Sequence, residues 1–224
     1  FAGKAGIEEI LGTGSPDGNK WIPAEVDVSI RPGWFYHASE DSLVKSAETL
    51  FSIYLTSVGR GSTLLLNIPP DRRGIFHEND VKALQGFRAK LNKEFGKNLA
   101  RKAPVMSSNT RGESSKYSAG NLTDGNKETY WATDDNLTTG SVEINLQRPD
   151  SIKYIVIQEY IKLGQRVKAF TVEAWIDGKW KSVAKATTIG YKRIIQVDPV
   201  MTSKIKISIT ESKACPAIAA VELY

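Results

Sequence analysis

The segment Trp21–His37, WIPAEVDVSIRPGWFYH, restricts the fold of this chain more than any other. In extended conformation Ala24, Val26, Val28 and Ile30 point one way, and Glu25, Asp27 and Ser29 the other. A strand with β-branched residues under outer helices and polar residues facing inward suits a barrel. Barrel interiors are ordinarily filled by Val, Ile and Leu, so an inward acidic stripe needs a reason. That reason is either chemistry or pairing with buried Arg or Lys, since structural ion pairs also place acids inside. Arg31-Pro32-Gly33 ends the strand, because Pro cannot donate to a ladder and Gly permits a sharp turn. Trp34, Phe35, Tyr36 and His37 then fall where a barrel strand meets its next loop, the end that carries active sites in such barrels.

The next elements continue the same logic. Ser39 or Asp41 can cap a helix whose apolar face runs from Leu43 through Leu50, Tyr54 and Val58, with Gly59 as its stop. Ser62–Ile68 is an apolar run bounded by Pro69-Pro70, the pattern of a parallel strand buried on both faces. Val81, Leu84, Phe87 and Leu91 mark a second helix. Strand, helix, strand, helix is α/β order. Yet a barrel needs eight of each and roughly 250 residues, so residues 1–102 are expected to be an incomplete (β/α)8 barrel. Near Ala103-Pro104 the pattern changes to short alternating strands, around Val142, Phe170 and Ile205, with Asp177-Gly178 as a hairpin turn. Six or seven strands in residues 103–224 predict a β-sandwich. The fold class is therefore multi-domain, α/β followed by all-β.

Composition removes several functions. Hydrophobic content of 41% with 25% charged residues is that of a globular chain. No apolar run is long enough for a transmembrane helix, and membrane insertion is not expected. The net charge of +5 divides as 14 basic against 12 acidic residues to Lys102 and 16 against 13 after it. Without a basic stripe, nucleic acid is not an expected partner. The lone Cys215 excludes an internal disulfide and a Cys-rich zinc site, and two histidines are too few for a His-based metal centre. Residues 1–20 read as a loop feeding the first strand, with turn chemistry at Ser15–Asn19.

The block PAEVDVSIRPGWFYH, followed by SVGRGS at 57–62 and LLLNIPPDRRG at 64–74, resembles the end of the catalytic domain of glycoside hydrolase family 29, the α-L-fucosidases. Its wording is most similar to the branch that prefers α-1,3/4-linked fucose. YSAGN at 117–121, DGNKETYW at 124–131, GQRV at 164–167 and the terminal VELY resemble discoidin-like (coagulation factor 5/8 type C) sandwiches, in particular carbohydrate-binding module family 32. The two resemblances imply a retaining, exo-acting α-L-fucosidase acting on fucosylated glycans, with an accessory sugar-binding jelly roll. They also imply a secreted or periplasmic protein, whose signal peptide would lie upstream of Phe1. The other expected class is a non-catalytic, lectin-like protein in which only the sandwich works.

Retaining hydrolysis needs two carboxyls about 5 Å apart. The resemblance puts the nucleophilic Asp on an earlier barrel strand, expected in a missing N-terminal part of the same barrel. It puts the acid/base Glu in a loop before the quoted block, where Glu8 and Glu9 lie. Glu25 is a minority candidate for that role, because it stands at the start of its strand, away from the catalytic end. Trp34 is the stronger site residue, since an indole stacks on a sugar's C–H face and on the methyl group of fucose. Arg31 and His37 could bond sugar hydroxyls, as could Asn67 and Asp71, although Arg72 and Arg73 offer Asp71 an ion pair. Asp134 and Asp135, adjacent acids in a turn, are candidates for a neighbouring sugar should the sandwich sit at the barrel mouth. No cofactor is expected for catalysis. A structural Ca²⁺ is expected in the sandwich at Asp124, Asn126, Thr129 and Glu222, the last placed by the resemblance.

Overall fold

A computed structural model describes residues 14–224, so Glu8 and Glu9 lie outside the described residues. The chain forms two compact units, one of residues 23–97 and one of residues 98–224 joined by residues 14–22. The compact unit of the sandwich thus takes in residues 14–22 and 98–102, which the sequence places with the α/β half. The reasons are local contacts. Asp17 pairs with Lys168 at 3.1 Å, Lys213 Nζ donates to the Gly18 carbonyl, and the Trp21 ring lies 6.3 Å from that of Tyr191. Leu99 N donates to the Leu223 carbonyl at 2.8 Å, and Ala100 is buried in the sandwich core.

In the α/β unit, β1 (Glu25–Ser29) and β2 (Thr63–Asn67) pair in parallel, Glu25 opposite Thr63 and Ser29 opposite Asn67. The expected first helix is broken. A 3-10 turn covers Ala38–Leu43, and the α-helix proper, α1, runs Ala47–Thr56. The break follows from two competing demands. Ser46 caps α1 by accepting from Thr49 N at 3.1 Å, while Lys45 is drawn back to the carbonyls of Ser29 and Arg31. The chain reverses after α1 at Gly61, whose φ of +84° suits glycine, and not at the predicted Gly59. Helix α2 spans Glu78–Phe95, with the His77 ring accepting from Asn79 N. Phe51, Tyr54 and Phe95 make ring contacts between the helices. Leu65 of β2 is half exposed, so this strand is not covered on both faces by the described residues.

The second unit is antiparallel. Its strands are β3 (Val105–Ser107), β4 (Trp131–Ala132), β5 (Gly140–Glu159), β6 (Val167–Ile176), β7 (Lys179–Ala186), β8 (Arg193–Ser212) and β9 (Ala217–Leu223). They run in the order β4-β9-β5-β8-β6-β7, with β3 on β5. The two 20-residue strands β5 and β8 lose register between Asn145 and Asp150, and residues on both sides of that break enter one core. Val142 and Ile144 meet Ile152, Ile155, Phe170, Ile205 and Leu223 there. The hairpin at Asp177-Gly178 forms as predicted, both residues having positive φ, and sets Trp175 against Trp180.

Candidate functional site

At the end of β1 the chain is held by a polar frame that leaves the aromatic residues out. Ser29 Oγ donates to the Gly33 carbonyl at 2.7 Å and closes the turn. From the end of β2, Asn67 Nδ2 donates to the Trp34 carbonyl at 2.9 Å and to Ser29 Oγ at 3.2 Å. Against the described residues Trp34 is 49% exposed and Phe35 more so. His37 is exposed beside it, and its side chain caps nothing in the turn that follows.

Arg31 is corrected from substrate contact to support. It is 0% exposed, and its guanidinium spans two carboxylates: Nε and Nη2 donate to Asp80 of α2 at 3.1 and 2.9 Å, and Nη1 to Asp41 at 2.9 Å. Burial works to lower the Arg31 pKa, and the bonds to Asp80 and Asp41 more than offset it. Asp80 is likewise buried, so the pair ties the turn to α2 through the interior. Glu25 begins β1 and is exposed. Four strand steps of about 3.3 Å, roughly 13 Å, separate it from Ser29, so it does not meet Trp34. The acid/base role given to Glu25 is therefore not supported. Asp71 takes the ion pair offered by Arg73, at 2.6 Å, and the Arg73 side-chain bond holds its carboxyl below the usual range.

In the sandwich the loops after β3 and β4 meet. Asp134 is absorbed by them: its carboxylate accepts from Asn109 Nδ2 and Gly112 N, both at 2.8 Å, while its own N–H donates to Asn109 Oδ1. The Gly112 N–H and then the Asn109 amide keep this carboxyl below its ordinary pKa. Asp134 is a loop fastener, which corrects its expected sugar contact. Asp135 stays 87% exposed and pairs with Arg111 at 2.5 Å. Arg111 also donates to Cys215 Sγ, as does Arg166, and its guanidinium lies over Tyr117. Beside these loops a cavity of about 970 Å³ is lined by Ser108, Asn109, Thr110, Ser115 and Asp134, a surface of hydroxyls and amides. Sequence reasoning singled out neither Arg111 nor Asn109 and quoted Arg166 only within the GQRV motif, because each acts through residues distant in the chain.

The expected calcium loop contains a compact set of oxygens. Asp124 accepts from Asn126 N at 2.6 Å and from the Thr129 hydroxyl at 2.7 Å, and that hydroxyl lies 2.8 Å from the Asn126 carbonyl. Gly125, at φ +76°, lets the turn close. These donors suit a hard cation in type. Glu222 instead accepts from the Tyr224 hydroxyl at 2.8 Å, and no group of three or more His, Cys, Asp or Glu side chains assembles among the described residues. The fit thus covers the loop oxygens and not Glu222.

Among the described residues Glu159, at the end of β5, carries the most perturbed carboxyl. Its Oε1 accepts from Arg166 N and Val167 N at 2.7 and 2.9 Å, and its Oε2 from Gly190 N at 2.7 Å. Burial pushes it up to about 7 against those three donors.

Residues 104–223 match the family model of the F5/8 type C domain. The chain belongs to that family. Residues 8–94 match the α-L-fucosidase family model, ahead of the F5/8 type C domain. Alpha-L-fucosidase 1 of Arabidopsis thaliana is 39% identical over 211 residues, which cover 92% of this chain and 41% of the relative. A relative from Oryza sativa subsp. japonica that carries the α-L-fucosidase 1 name is also 39% identical, over 95% of this chain and 41% of its own length. Among solved structures, a Ruminococcus gnavus glycoside hydrolase 29 fucosidase in complex with fucose superposes with a TM-score of 0.86 at 33% identity, over 94% of this chain and 43% of the other. The chain therefore spans less than half the length of the relatives it matches. Both halves keep, in order, the pairing inferred from their motifs.

Proposed function

We propose that this chain is the C-terminal portion of a retaining, exo-acting α-L-fucosidase that removes α-linked fucose from glycans. The observation that carries the reading is the half-exposed Trp34, held by Asn67 and Ser29 on a turn that Arg31 and Asp80 anchor from inside. A rigid turn that presents an indole is suited to the C–H face and methyl group of a 6-deoxy sugar. The exposed His37 beside it supplies a donor for a sugar hydroxyl. The nucleophilic carboxyl belongs to the remainder of the full-length protein, and neither Glu25 nor Asp71 stands free at this turn to serve as the acid/base. The finer preference for α-1,3/4 linkages rests on the wording of the block from Pro23 to His37 alone. The F5/8 type C domain is read as the sugar-binding accessory, with the exposed Asp135 available at its loops. A structural Ca²⁺ at Asp124, the Asn126 carbonyl and Thr129 belongs to the same reading, and the convergence of those three oxygens supports it.

Incubation with an aryl α-L-fucoside tests the activity. The full-length protein should release fucose as the α-anomer, seen by NMR before mutarotation, and this chain alone should release none. Turnover by this chain would place the reacting carboxyls within it and overturn the reading; the β-anomer as first product would overturn retention.

A further inference from the structure

The loop between β2 and α2 comes back to the Trp34 turn through one side chain. His77 caps α2, its Nδ1 accepting from Asn79 N at 3.2 Å. A ring nitrogen that accepts carries no proton, so the neutral imidazole holds its proton on Nε2. Nε2 lies 3.3 Å from Asp41 Oδ2 and 3.6 Å from Glu78 Oε2. Glu78 is 67% exposed and already paired with Arg73, whereas Asp41 belongs to the 3-10 turn that follows His37. Capping alone does not call for an imidazole, because Ser, Thr, Asn and Asp do that task better. The second nitrogen is what a histidine adds here.

Asp41 is the junction it reaches. Its Oδ1 accepts from the buried Arg31 at 2.9 Å, its Oδ2 from the Tyr36 hydroxyl at 3.3 Å, and its carbonyl from Asn79 Nδ2 at 2.8 Å. The Arg31 guanidinium lies over the Tyr36 ring, 4.8 Å from its centroid, and the Tyr36 and His77 rings are 6.1 Å apart. Burial, and then the Asp41 charge, raise the Tyr36 pKa, so its hydroxyl stays a donor. Arg31 and Tyr36 stand at the two ends of the segment Pro32-Gly33-Trp34-Phe35. Both ends are thus fastened to one carboxylate. His77 and Asn79 fasten that carboxylate in turn to the head of an 18-residue helix.

We propose that His77 is a positioning residue of the fucoside site, holding through Asp41 the Arg31 and Tyr36 ends of the turn that carries Trp34. The inference rests on the reading of Trp34 as a wall of that site. Its Nδ1 starts the helix and its Nε2 steadies the turn, so one ring does two separable tasks.

Kinetics of the full-length protein on an aryl α-L-fucoside, read beside the melting temperature, separate the two. His77→Asn keeps an oxygen that caps and is too short to reach Asp41. It should melt within about 2 °C of the parent and yet raise KM about five-fold or more. His77→Gln places a donor near the Nε2 position and is a poor cap, so it should melt lower while KM stays within about two-fold of the parent's. A histidine that only caps gives the opposite order, with KM following the melting temperature. His77→Ser, which also caps, takes the place of His77→Asn if that variant does not fold. Unchanged KM in the capping variant, or KM rising in step with lost stability across the variants, overturns the role of His77 and leaves the fucosidase reading standing. A parent that releases no fucose overturns both.

Discussion

Replacing Glu159 with Gln changes one buried proton and little volume, and its cost can be worked out from three hydrogen bonds. The carboxylate accepts from the backbone N–H groups of Arg166, Val167 and Gly190 at 2.7, 2.9 and 2.7 Å. Glutamine offers one acceptor oxygen, enough for the two bonds now made by Oε1. Its NH2 would then face the Gly190 N–H, donor against donor, in a site 3% exposed. One lost hydrogen bond and a stranded donor amount to about 2–4 kcal/mol. The pH dependence adds a sign. Burial raises this carboxyl from 4.5 to about 7 in the folded state. The folded protein therefore keeps a proton that the unfolded chain gives up, and its contribution, fully present below 4.5, is lost as pH rises through 7. At most about 3 kcal/mol of stability should disappear across that window. The Gln variant cannot titrate there, so its deficit should be largest near pH 5 and should shrink by pH 8. Urea unfolding followed through the fully buried Trp131 measures both curves. If parent and variant lose stability in parallel from pH 5 to 8, the carboxyl is not held as argued.

Three further outcomes follow from the same contacts. Asp80→Ala in the full-length protein leaves Arg31 buried with only Asp41, and should cost about 3 kcal/mol by thermal or urea unfolding. Its KM for an aryl fucoside should rise as the Trp34 turn loosens; unchanged stability would show the ion pair to be idle. Asp134→Ala removes the acceptor for Asn109 and Gly112, and should lower the melting temperature of this chain by roughly 2–5 °C. A chelator should lower that melting temperature too, Ca²⁺ but not Mg²⁺ restoring it, and Asp124→Ala should abolish the response. If the melt ignores chelator, the segment from Asp124 to Thr129 is a plain turn.

Features written in neighbouring residues could be read directly. The two-residue alternation of β1, its stop at Pro32-Gly33 and the hairpin at Asp177-Gly178 each depend on residues in contact along the chain. The family motifs were legible for the same reason. Features that depend on distant partners were not. Arg31 next to Pro32 reads as a donor at a loop, and only Asp80, 49 residues on, turns it into a buried anchor. Asp134 reads as free in the sequence until Asn109 and Gly112 fold against it. The helix expected from Ser39 to Val58 breaks because Lys45 is drawn to Ser29 and Arg31, a demand the apolar periodicity does not contain. Glu159 was invisible because three backbone partners leave no local pattern.

On the proposed reading, Trp34 is a wall of the site in which an α-L-fucosidase holds its sugar. Comparison of kcat/KM for an aryl α-L-fucoside between the full-length protein and its Trp34→Ala variant tests it most directly. A stacking wall lost from the transition-state complex should lower kcat/KM by about 1–3 kcal/mol, roughly 5- to 150-fold, with the melting temperature nearly unchanged because the ring is half exposed. Equal kcat/KM in the two proteins, or a large fall in melting temperature without a kinetic loss, would contradict the account.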